Sequence, residues 1–344
     1  MVGQRFVLLL ENHPWFEVVT VAASPSSAGK TYKEAVKGRW KMEKAVPLGA
    51  AKLQVKAVSD ISSISKTVDF VFCALDMDKE AIQKLELAYA EAGIPVISNN
   101  SAHRWTEDIP MLMPEINPTH AKLITAQKKN RGFTKGFIAV KPNCSIQSYV
   151  SILTALKRFQ PAEVSVTSMQ AISGAGKTFA TWPEMVENVI PYIGGEEEKS
   201  EKEPMKIWGA VSKGKLTLAK SPTISATCVR VAVADGHMAT VRVSFKKKVT
   251  KQQIIDAVTQ FDNPIADLHL PSAPKQLIKY FDEDNRPQTK LDRDYENGMG
   301  ISMGRLEEDK NFGWRFVSLS HNTIRGAAGG AVLMAEFLVK KGYL

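Results

Sequence analysis

Residues 69–98, DFVFCALDMDKEAIQKLELAYAEAGIPVIS, decide the fold of the first half of this 344-residue chain. Asp69 to Leu75 and Ile94 to Ser98 are apolar runs that predict buried strands. Between them, Asp78 to Ala92 places apolar residues at helical spacing, which predicts an amphipathic helix. A strand, a helix and a strand in this order are typical of a βαβ unit in a parallel sheet.

Further strands are predicted on both sides of this unit, at Glu17–Ala23 and Phe137–Val140. The first half is therefore expected to be a Rossmann-type domain of the α/β class. Gly194–Lys206 is charged and begins with glycine, which predicts a surface loop or a short helix. An apolar helix, Gly326–Lys341, is expected to end the chain and to pack back on the first domain.

The second half has a different pattern, because its strand-like runs alternate in polarity. We expect an α+β catalytic and dimerisation domain with a mixed sheet, covered by helices such as Lys251–Phe261. The predicted boundaries are residues 1–143, completed by 323–344, for the first domain and 144–322 for the second. The alternating runs are Glu163–Ile172, Thr223–Val233 and Met238–Lys246.

Composition limits the classes of function that are open to the chain. Hydrophobic residues make up 44% and charged residues 24%, as in an ordinary soluble globular protein. No apolar stretch approaches the ~20 residues of a membrane span, and no signal peptide is visible, so we expect a cytoplasmic protein with no membrane partner. The net charge of +9 comes without a nucleic-acid motif and suits anionic small molecules. Cys73, Cys144 and Cys228 lack disulfide or metal-ligand spacing, so no metal site is expected.

Cys144 is the strongest candidate for chemistry. It follows the Phe137–Val140 strand and a Pro-Asn break, and a helical pattern begins at Ile146. This spacing predicts that the thiol lies in the first turn of a helix, where the helix dipole favours the thiolate. A thiolate can attack an acyl group or an aldehyde. The alternative is a small buried residue that fills a strand-to-helix junction.

His237 and Arg230 form a second candidate pair around Asp235-Gly236, a dipeptide that is typical of a β-hairpin turn. An imidazole can take the thiol proton and return one to a developing alkoxide. A guanidinium can hold a substrate carboxylate through two parallel hydrogen bonds. The alternative is that His237 is an exposed turn residue.

Two loops could contact a nucleotide. Ser24–Lys30 follows a predicted strand and carries hydroxyls, a glycine and a lysine where NAD-binding domains place an acidic residue. Such a loop can bind a 2′-phosphate, although an ordinary polar turn explains it equally well. Ser173–Lys177 is a Gly-rich turn that permits close approach of a ligand but lacks P-loop spacing.

Together these motifs resemble the aspartate-β-semialdehyde dehydrogenase family, in its archaeal and fungal branch. The resemblance covers nearly the whole chain and depends on the order and spacing of the motifs. They are MVGQRF (1–6), SNNSAHR (98–104), PNCS (142–145), MQAISGAG (169–176), EPMK (203–206), RVAVADGH (230–237), GMGISMGR (298–305) and NTIRGAAGG (322–330).

The resemblance implies a role for each matching residue. Cys144 is the expected nucleophile, His237 the acid/base and Gln170 the residue that orients the substrate. Arg230 is expected to bind the substrate α-carboxylate and Glu203 its ammonium. The expected phosphate residues are Arg104, Lys206 and Asn143, and the expected NADP(H) contacts are Gly3, Ser24, Ser26, Ser27, Lys30, Ser173, Gly174, Gly176 and Asn322.

The activity implied is NADPH-dependent reductive dephosphorylation of L-4-aspartyl phosphate through a cysteine thioester, in lysine, threonine and methionine biosynthesis. A homodimer or homotetramer is the expected assembly. One alternative is a related acyl-phosphate or acyl-CoA reductase, such as N-acetyl-glutamyl-phosphate reductase or malonyl-CoA reductase. Glu203 disfavours both, because their substrates have no free ammonium. The other alternative is a non-catalytic paralogue.

The helical pattern at Phe6 and Leu9 begins almost at once, whereas a Rossmann-type domain has a strand and a Gly-rich turn before its first helix. Gly3 then matches only the last glycine of such a turn. We therefore expect that the first strand and turn are missing and that Met1 is an internal methionine of a longer protein. Weak NADP binding and an unpaired sheet centre are the expected consequences.

Overall fold

The computed structural model describes residues 1–344 and begins with the predicted nucleotide-binding half. Its helices and strands are short apart from one long helix, which begins after the Asp78 cap and matches the amphipathic pattern. The strands are β1 (Val21–Ala23), β2 (Val55–Ala57), β3 (Val71–Cys73), β4 (Val96–Ser98) and β5 (Ile138–Val140). The helices are α1 (Val2–Leu9), α2 (Tyr32–Ala35), α3 (Leu48–Ala51), α4 (Ile61–Ile64), α5 (Lys79–Glu91) and α6 (Lys122–Arg131).

These strands form two parallel sheets instead of one. β1 pairs only with β2, whereas β3, β4 and β5 form a separate three-stranded sheet in that order. An apolar groove of about 490 Å3 lies between β1 and β3. A break at the centre of the parallel sheet is what the sequence predicts, and it leaves one edge of each sheet without a partner strand.

The second half contains a mixed sheet of seven strands, as predicted, in the order β12-β13-β14-β11-β6-β10-β7. The β6–β10 and β12–β13 pairs are parallel and the others antiparallel. The helices are α7 (Gln147–Ala155), α8 (Glu196–Ile207), α9 (Lys251–Thr259) and α10 (Thr289–Asp292). The strands are β6 (Pro161–Gln170), β7 (Val189–Ile190), β8 (Ala210–Ser212), β9 (Lys215–Thr217), β10 (Thr223–Val231), β11 (His237–Phe245), β12 (Ile278–Phe281), β13 (Ile301–Asp309) and β14 (Gly313–Ser320).

Asp235-Gly236 does not make a hairpin. β6 lies between β10 and β11, so the connection between them crosses the end of β6. The dipeptide still makes a tight change of direction, since Gly236 has φ of +102°. Because of this crossover, Gln170 at the end of β6 lies between Arg230 at the end of β10 and His237 at the start of β11.

The final helix, α11 (Ala328–Lys340), packs against α1 and β4 and forms one apolar cluster with the first domain. It is buried on nearly every face, which explains its uniformly apolar sequence. None of the helices is long and apolar enough to cross a membrane.

Candidate active site

The loop that carries Cys144 joins β5 to α7 and is held by the Asn143 side chain. Asn143 Oδ1 accepts hydrogen bonds from the amide and the hydroxyl of Ser145, both at 2.7 Å. Helix α7 begins at Gln147, so Cys144 lies before the helix and not in its first turn. The predicted first-turn position is therefore wrong, because a tight turn precedes the helix.

Cys144 Sγ lies 3.5 Å from His237 Nε2, which brings together two residues 93 positions apart in the chain. His237 is fully buried at the start of β11. The backbone N–H of Ala171 donates to its Nδ1 at 3.0 Å, so the proton of the neutral ring is on Nε2 and faces the sulfur. The ring can therefore donate to a thiolate or to an oxygen bound beside it.

Both groups are neutral in this geometry. Burial, followed by the negative charge of Glu196, raises the pKa of Cys144 to about 11, although Arg104 and Arg230 oppose the shift. Burial and the nearby Arg230 lower the pKa of His237 to about 3. The expectation that the protein favours the thiolate through a helix dipole is thus not met, because burial has the larger effect.

Arg230 and Gln170 lie with His237 around the sulfur, and these three residues are here called the wall of the site. Arg230 donates from Nη1 to the carbonyl of Ala171 at 2.8 Å and is buried. A Cβ atom on Gly174 would lie 2.8 Å from that Nη1 and 3.0 Å from Cε1 of His237, so an added side chain there would have to displace one of these groups. Gln170 donates from Nε2 to Glu196 at 3.2 Å, on the same side as Asn143.

Glu203, Arg104 and Lys206 form a buried ionic network beneath this wall. Glu203 accepts from Arg104 Nη1 at 2.9 Å and from the backbone N–H of Asn143 at 2.6 Å. Lys206 Nζ donates to the carbonyls of Arg104 (2.6 Å), Thr106 (3.3 Å) and Ile109 (3.1 Å). Burial lowers the pKa of Lys206 to about 8. Arg104 Nε also donates to the Lys141 carbonyl at 2.9 Å, so the network fixes the backbone immediately before Cys144.

Helix α8 carries this network and contributes a residue that the sequence analysis missed. Glu196 binds both Asn143, at 3.0 Å, and Gln170 through its carboxylate. Burial opposes its ionisation, but Lys199 and these hydrogen bonds lower its pKa. The segment predicted as a surface loop or a short helix is a 12-residue helix with Glu196 and Glu203 two turns apart on one buried face. That seven-residue spacing was the available signal.

The predicted nucleotide loop, Ser24–Lys30, follows β1 and carries no carboxylate. The Ser24 and Ser26 hydroxyls lie 3.0 Å apart, and Lys30 Nζ donates to the Ser26 carbonyl at 3.1 Å. Arg39, which the sequence analysis missed, reaches Ser27 Oγ at 3.4 Å. Two cations and three hydroxyls thus surround one loop, which fits a phosphate ester.

Four of the other predicted nucleotide contacts lie in the catalytic domain, and the fifth, Gly3, does not. The four are Ser173, Gly174, Gly176 and Asn322. Asn322 donates to Ser173 Oγ at 2.8 Å and accepts from the Gly236 amide at 2.8 Å. Lys41 reaches across from the first domain to the carbonyl of Gly176 at 2.5 Å. Gly3, in contrast, lies in α1 and lines the apolar groove beside β1 and β3.

Two family models match the chain in the same order as its two halves. The NAD binding domain of semialdehyde dehydrogenases matches residues 1–124, and their dimerisation domain matches residues 153–325. The chain belongs to the semialdehyde dehydrogenase family. This confirms the family resemblance and the α/β fold class that the motifs predicted.

Curated relatives and solved structures give the same placement within the semialdehyde dehydrogenases. Aspartate-semialdehyde dehydrogenase of Archaeoglobus fulgidus is 41% identical over 99% of this chain and 96% of its own length. The Aspergillus fumigatus enzyme of that name is 40% identical over 100% of this chain and 95% of its own length. The crystal structure of the Candida albicans enzyme with NADP has a TM-score of 0.88 at 34% identity, over 100% of this chain and 96% of that one.

Proposed function

We propose that this semialdehyde dehydrogenase is an aspartate-semialdehyde dehydrogenase that converts L-4-aspartyl phosphate into L-aspartate 4-semialdehyde and phosphate. The observation that supports it most is the 3.5 Å approach of Cys144 Sγ to His237 Nε2, in a wall completed by Arg230 and Gln170. A sulfur nucleophile next to a proton-bearing imidazole suits acyl transfer. The names of relatives at about 40% identity over nearly the full chain support the choice of substrate.

The substrate is proposed to be held at its amino-acid end by Arg230 and Glu203. The guanidinium offers a forked donor set to the α-carboxylate, and the buried Glu203 carboxylate supplies the negative charge for the ammonium. Asn143, Arg104 and Lys206 are proposed to line the phosphate site. With both ends fixed, the acyl carbon is aligned with the sulfur, which converts binding into orientation.

Cys144 Sγ forms the bond to the acyl carbon, the bond from that carbon to the phosphate oxygen breaks, and the departing phosphate takes the thiol proton. The Ser24–Lys30 loop and the residues Ser173, Gly176 and Asn322 would hold NADPH, which would supply the hydride that reduces the thioester carbonyl. His237 donates its Nε2 proton in a hydrogen bond toward the oxygen of the tetrahedral carbon, and Gln170 orients that carbon. Collapse releases the aldehyde and returns the electron pair to the sulfur.

The chain's own residues fit NADP(H) better than NAD(H). The Ser24–Lys30 loop places hydroxyls, Lys30 and Arg39 together without a carboxylate, as a 2′-phosphate requires. At the other end, Ser173, Gly176 and Asn322 border the thiol site. We propose that the cofactor spans these two places. We also propose that the domain boundaries lie at residues 143 and 323.

We further propose a homodimer or homotetramer located in the cytoplasm. The match to a dimerisation domain over residues 153–325 supports the assembly. Val186, Val189 and Tyr192 add exposed apolar surface along the edge strand β7. The three cysteines are free, which suits a reducing compartment. The product would then feed lysine, threonine and methionine synthesis.

The test is phosphate-dependent reduction of NADP with aspartate semialdehyde, compared with N-acetylglutamate semialdehyde and with malonate semialdehyde plus CoA. We expect activity with the first only, and a complete loss in Cys144→Ser. Arg230→Lys should mainly raise KM, because an ammonium cannot reproduce the forked contact. Equal or better turnover of another substrate would overturn the proposal.

A further inference from the structure

Two amide side chains lie beside the sulfur, and each of them can be turned in two ways. Asn143 comes immediately before Cys144, and Gln170 ends β6 next to His237. An amide offers two N–H donors on one side and a carbonyl acceptor on the other. The side that faces the substrate therefore decides which substrate groups the amide can bind.

One carboxylate settles the orientation of both amides. Glu196 accepts from Asn143 Nδ2 at 3.0 Å through each of its oxygens, and from Gln170 Nε2 at 3.2 Å through Oε2. An ionised carboxylate only accepts, so both NH2 groups must face α8 and both carbonyl oxygens must point elsewhere. Asn143 Oδ1 accepts from Ser145. Gln170 is 1% exposed and its Oε1 accepts from no donor in the protein, so a buried side chain keeps a free acceptor.

Glu196 stays ionised in spite of its burial. Burial opposes its ionisation, but Lys199 and the hydrogen bonds from Gln170 and Asn143 lower its pKa. Lys199 Nζ donates to its Oε1 at 2.7 Å. Glu196 is also the first residue of α8, and the N-terminal end of a helix favours a negative charge. The carboxylate is therefore an acceptor at neutral pH, and it holds both amides in one orientation.

The charge of Glu196 disfavours the nucleophile. After burial, it is the next cause that raises the pKa of Cys144. A neutral side chain of the same size would leave a more acidic thiol. The contribution of this carboxylate to the reaction therefore lies in the groups that it orients and not in the reactivity of the sulfur.

The free acceptor on Gln170 can select one group of the proposed substrate. In aspartyl phosphate the α-carboxylate and the phosphate oxygens accept hydrogen bonds, and the ammonium supplies three donors. An amide that presents its carbonyl oxygen therefore binds the ammonium. Turned the other way, the same amide would present N–H groups and would favour the carboxylate or the phosphate.

We propose that Glu196 is a positioning residue that holds Gln170 with its carbonyl oxygen toward the substrate, so that Gln170 and Glu203 together bind the substrate ammonium. This inference rests on the proposed function, because it needs a substrate with an ammonium group. The ammonium has three N–H donors, so Glu203 can supply the negative charge while Gln170 accepts one hydrogen bond. Without the carboxylate the amide of Gln170 is free to turn, and the acceptor is lost.

The experiment measures kcat/KM for aspartate semialdehyde and for succinate semialdehyde, which has no amino group. The variants are Glu196→Gln, Gln170→Met and the two combined, with Glu198→Gln as the control at an exposed position of the same helix. Glu196→Gln keeps the size of the side chain but can also donate, so it no longer fixes the amide. Gln170→Met keeps the length of the side chain and removes the acceptor. The rate at which iodoacetamide alkylates Cys144 at pH 8 is measured in parallel.

Glu196→Gln should lower kcat/KM for aspartate semialdehyde about tenfold or more relative to succinate semialdehyde, because the ammonium loses an acceptor. It should at the same time speed alkylation of Cys144 about threefold, a combination that general damage to the site does not give. Gln170→Met should lose the same discrimination between the two substrates. Because both changes remove one contact, the combined variant should lose no more than about twofold beyond either single variant.

Equal losses on the two substrates, or losses that multiply in the combined variant, would overturn the role of Glu196 in orienting Gln170. Discrimination that survives in Gln170→Met would overturn it as well, even where Glu196→Gln does not fold. The proposed function fails in a different way. The unaltered chain would then not reduce NADP with aspartate semialdehyde and phosphate although iodoacetamide still alkylates Cys144, and this result would remove both proposals.

Discussion

Glu203→Gln tests whether the buried carboxylate binds the substrate ammonium or only holds the protein together. In the structure its two oxygens are occupied, by Arg104 at 2.9 Å and by the Asn143 amide at 2.6 Å. The glutamine is of equal size and can still accept from Arg104, but it carries no charge and its NH2 group then faces the Asn143 N–H. The substitution therefore separates the charge from the shape of the side chain.

The expected magnitudes follow from this geometry. Loss of a charged partner to a substrate ammonium costs about 1.5 to 3 kcal/mol, or about 10- to 100-fold in kcat/KM. The variant also leaves Arg104 buried without a counter-charge, which destabilises the fold by about 3 kcal/mol. The destabilisation by Arg104 does not depend on the substrate. Two substrates, one with and one without an ammonium group, can therefore separate it from the loss of the ammonium contact.

The assay uses aspartate semialdehyde and succinate semialdehyde, which lacks only the amino group. We expect Glu203→Gln to reduce kcat/KM about 10- to 100-fold more for the first than for the second. Glu198→Gln, an exposed position on the same helix, is the control and should change neither. Active sites are counted by alkylation of Cys144, so that unfolded protein does not contribute.

Equal losses on both substrates would refute the role of Glu203 in ammonium binding. The carboxylate would then act only through Arg104 and the Asn143 amide, as a positioning residue. In that case Glu196→Gln becomes the informative variant, because Glu196 is the other buried carboxylate beside Asn143.

Other predictions concern the thiol and its surroundings. The rate at which iodoacetamide alkylates Cys144 should rise about tenfold per pH unit up to the pKa of about 11. Glu196→Gln removes a negative charge that raises this pKa, so at pH 8 it should speed alkylation of Cys144 about threefold or more. The control Glu198→Gln should leave the rate unchanged. An unchanged rate in Glu196→Gln would contradict the charge effect. Gly174→Ala should lower kcat about 100-fold with little change in Tm, because its Cβ displaces the arginine and the imidazole. Gly49→Ala, where a Cβ meets nothing within 4 Å, is its control, and comparable losses would show a general effect of added methyl groups.

The pattern of strands and helices was predictable wherever periodicity was strong. Lys79–Glu91, capped by Asp78, and three of the five long strands of the mixed sheet, β6, β10 and β11, lie where the sequence places them. Asp235-Gly236 is typical of a hairpin turn, but no hairpin forms there. Turn chemistry is local, whereas the placement of β6 between β10 and β11 depends on long-range pairing. Turn residues alone do not tell which strands become neighbours.

The residues proposed for the active site could be named from their sequence motifs, but their hydrogen-bond partners could not. Nothing local indicates that Glu203 is tied to Arg104, 99 residues away, or that Ala171 fixes the tautomer of His237. Cys144 shows the limit most clearly. Its pKa depends on burial by distant segments and on charges that they contribute, which the local helix pattern does not reveal.

Helix α8 has one more consequence, which follows from its bonds to both sides of the cleft. Glu197 and Glu201 accept from the amides of Cys228 and Ala226 in β10, the strand that ends at Arg230. Glu203 and Glu196 of the same helix accept hydrogen bonds from Asn143, next to Cys144. It therefore connects Arg230, the proposed carboxylate anchor, to the loop that carries Cys144, so a simple dicarboxylic acid bound at Arg230 should by itself change the rate at which the sulfur reacts.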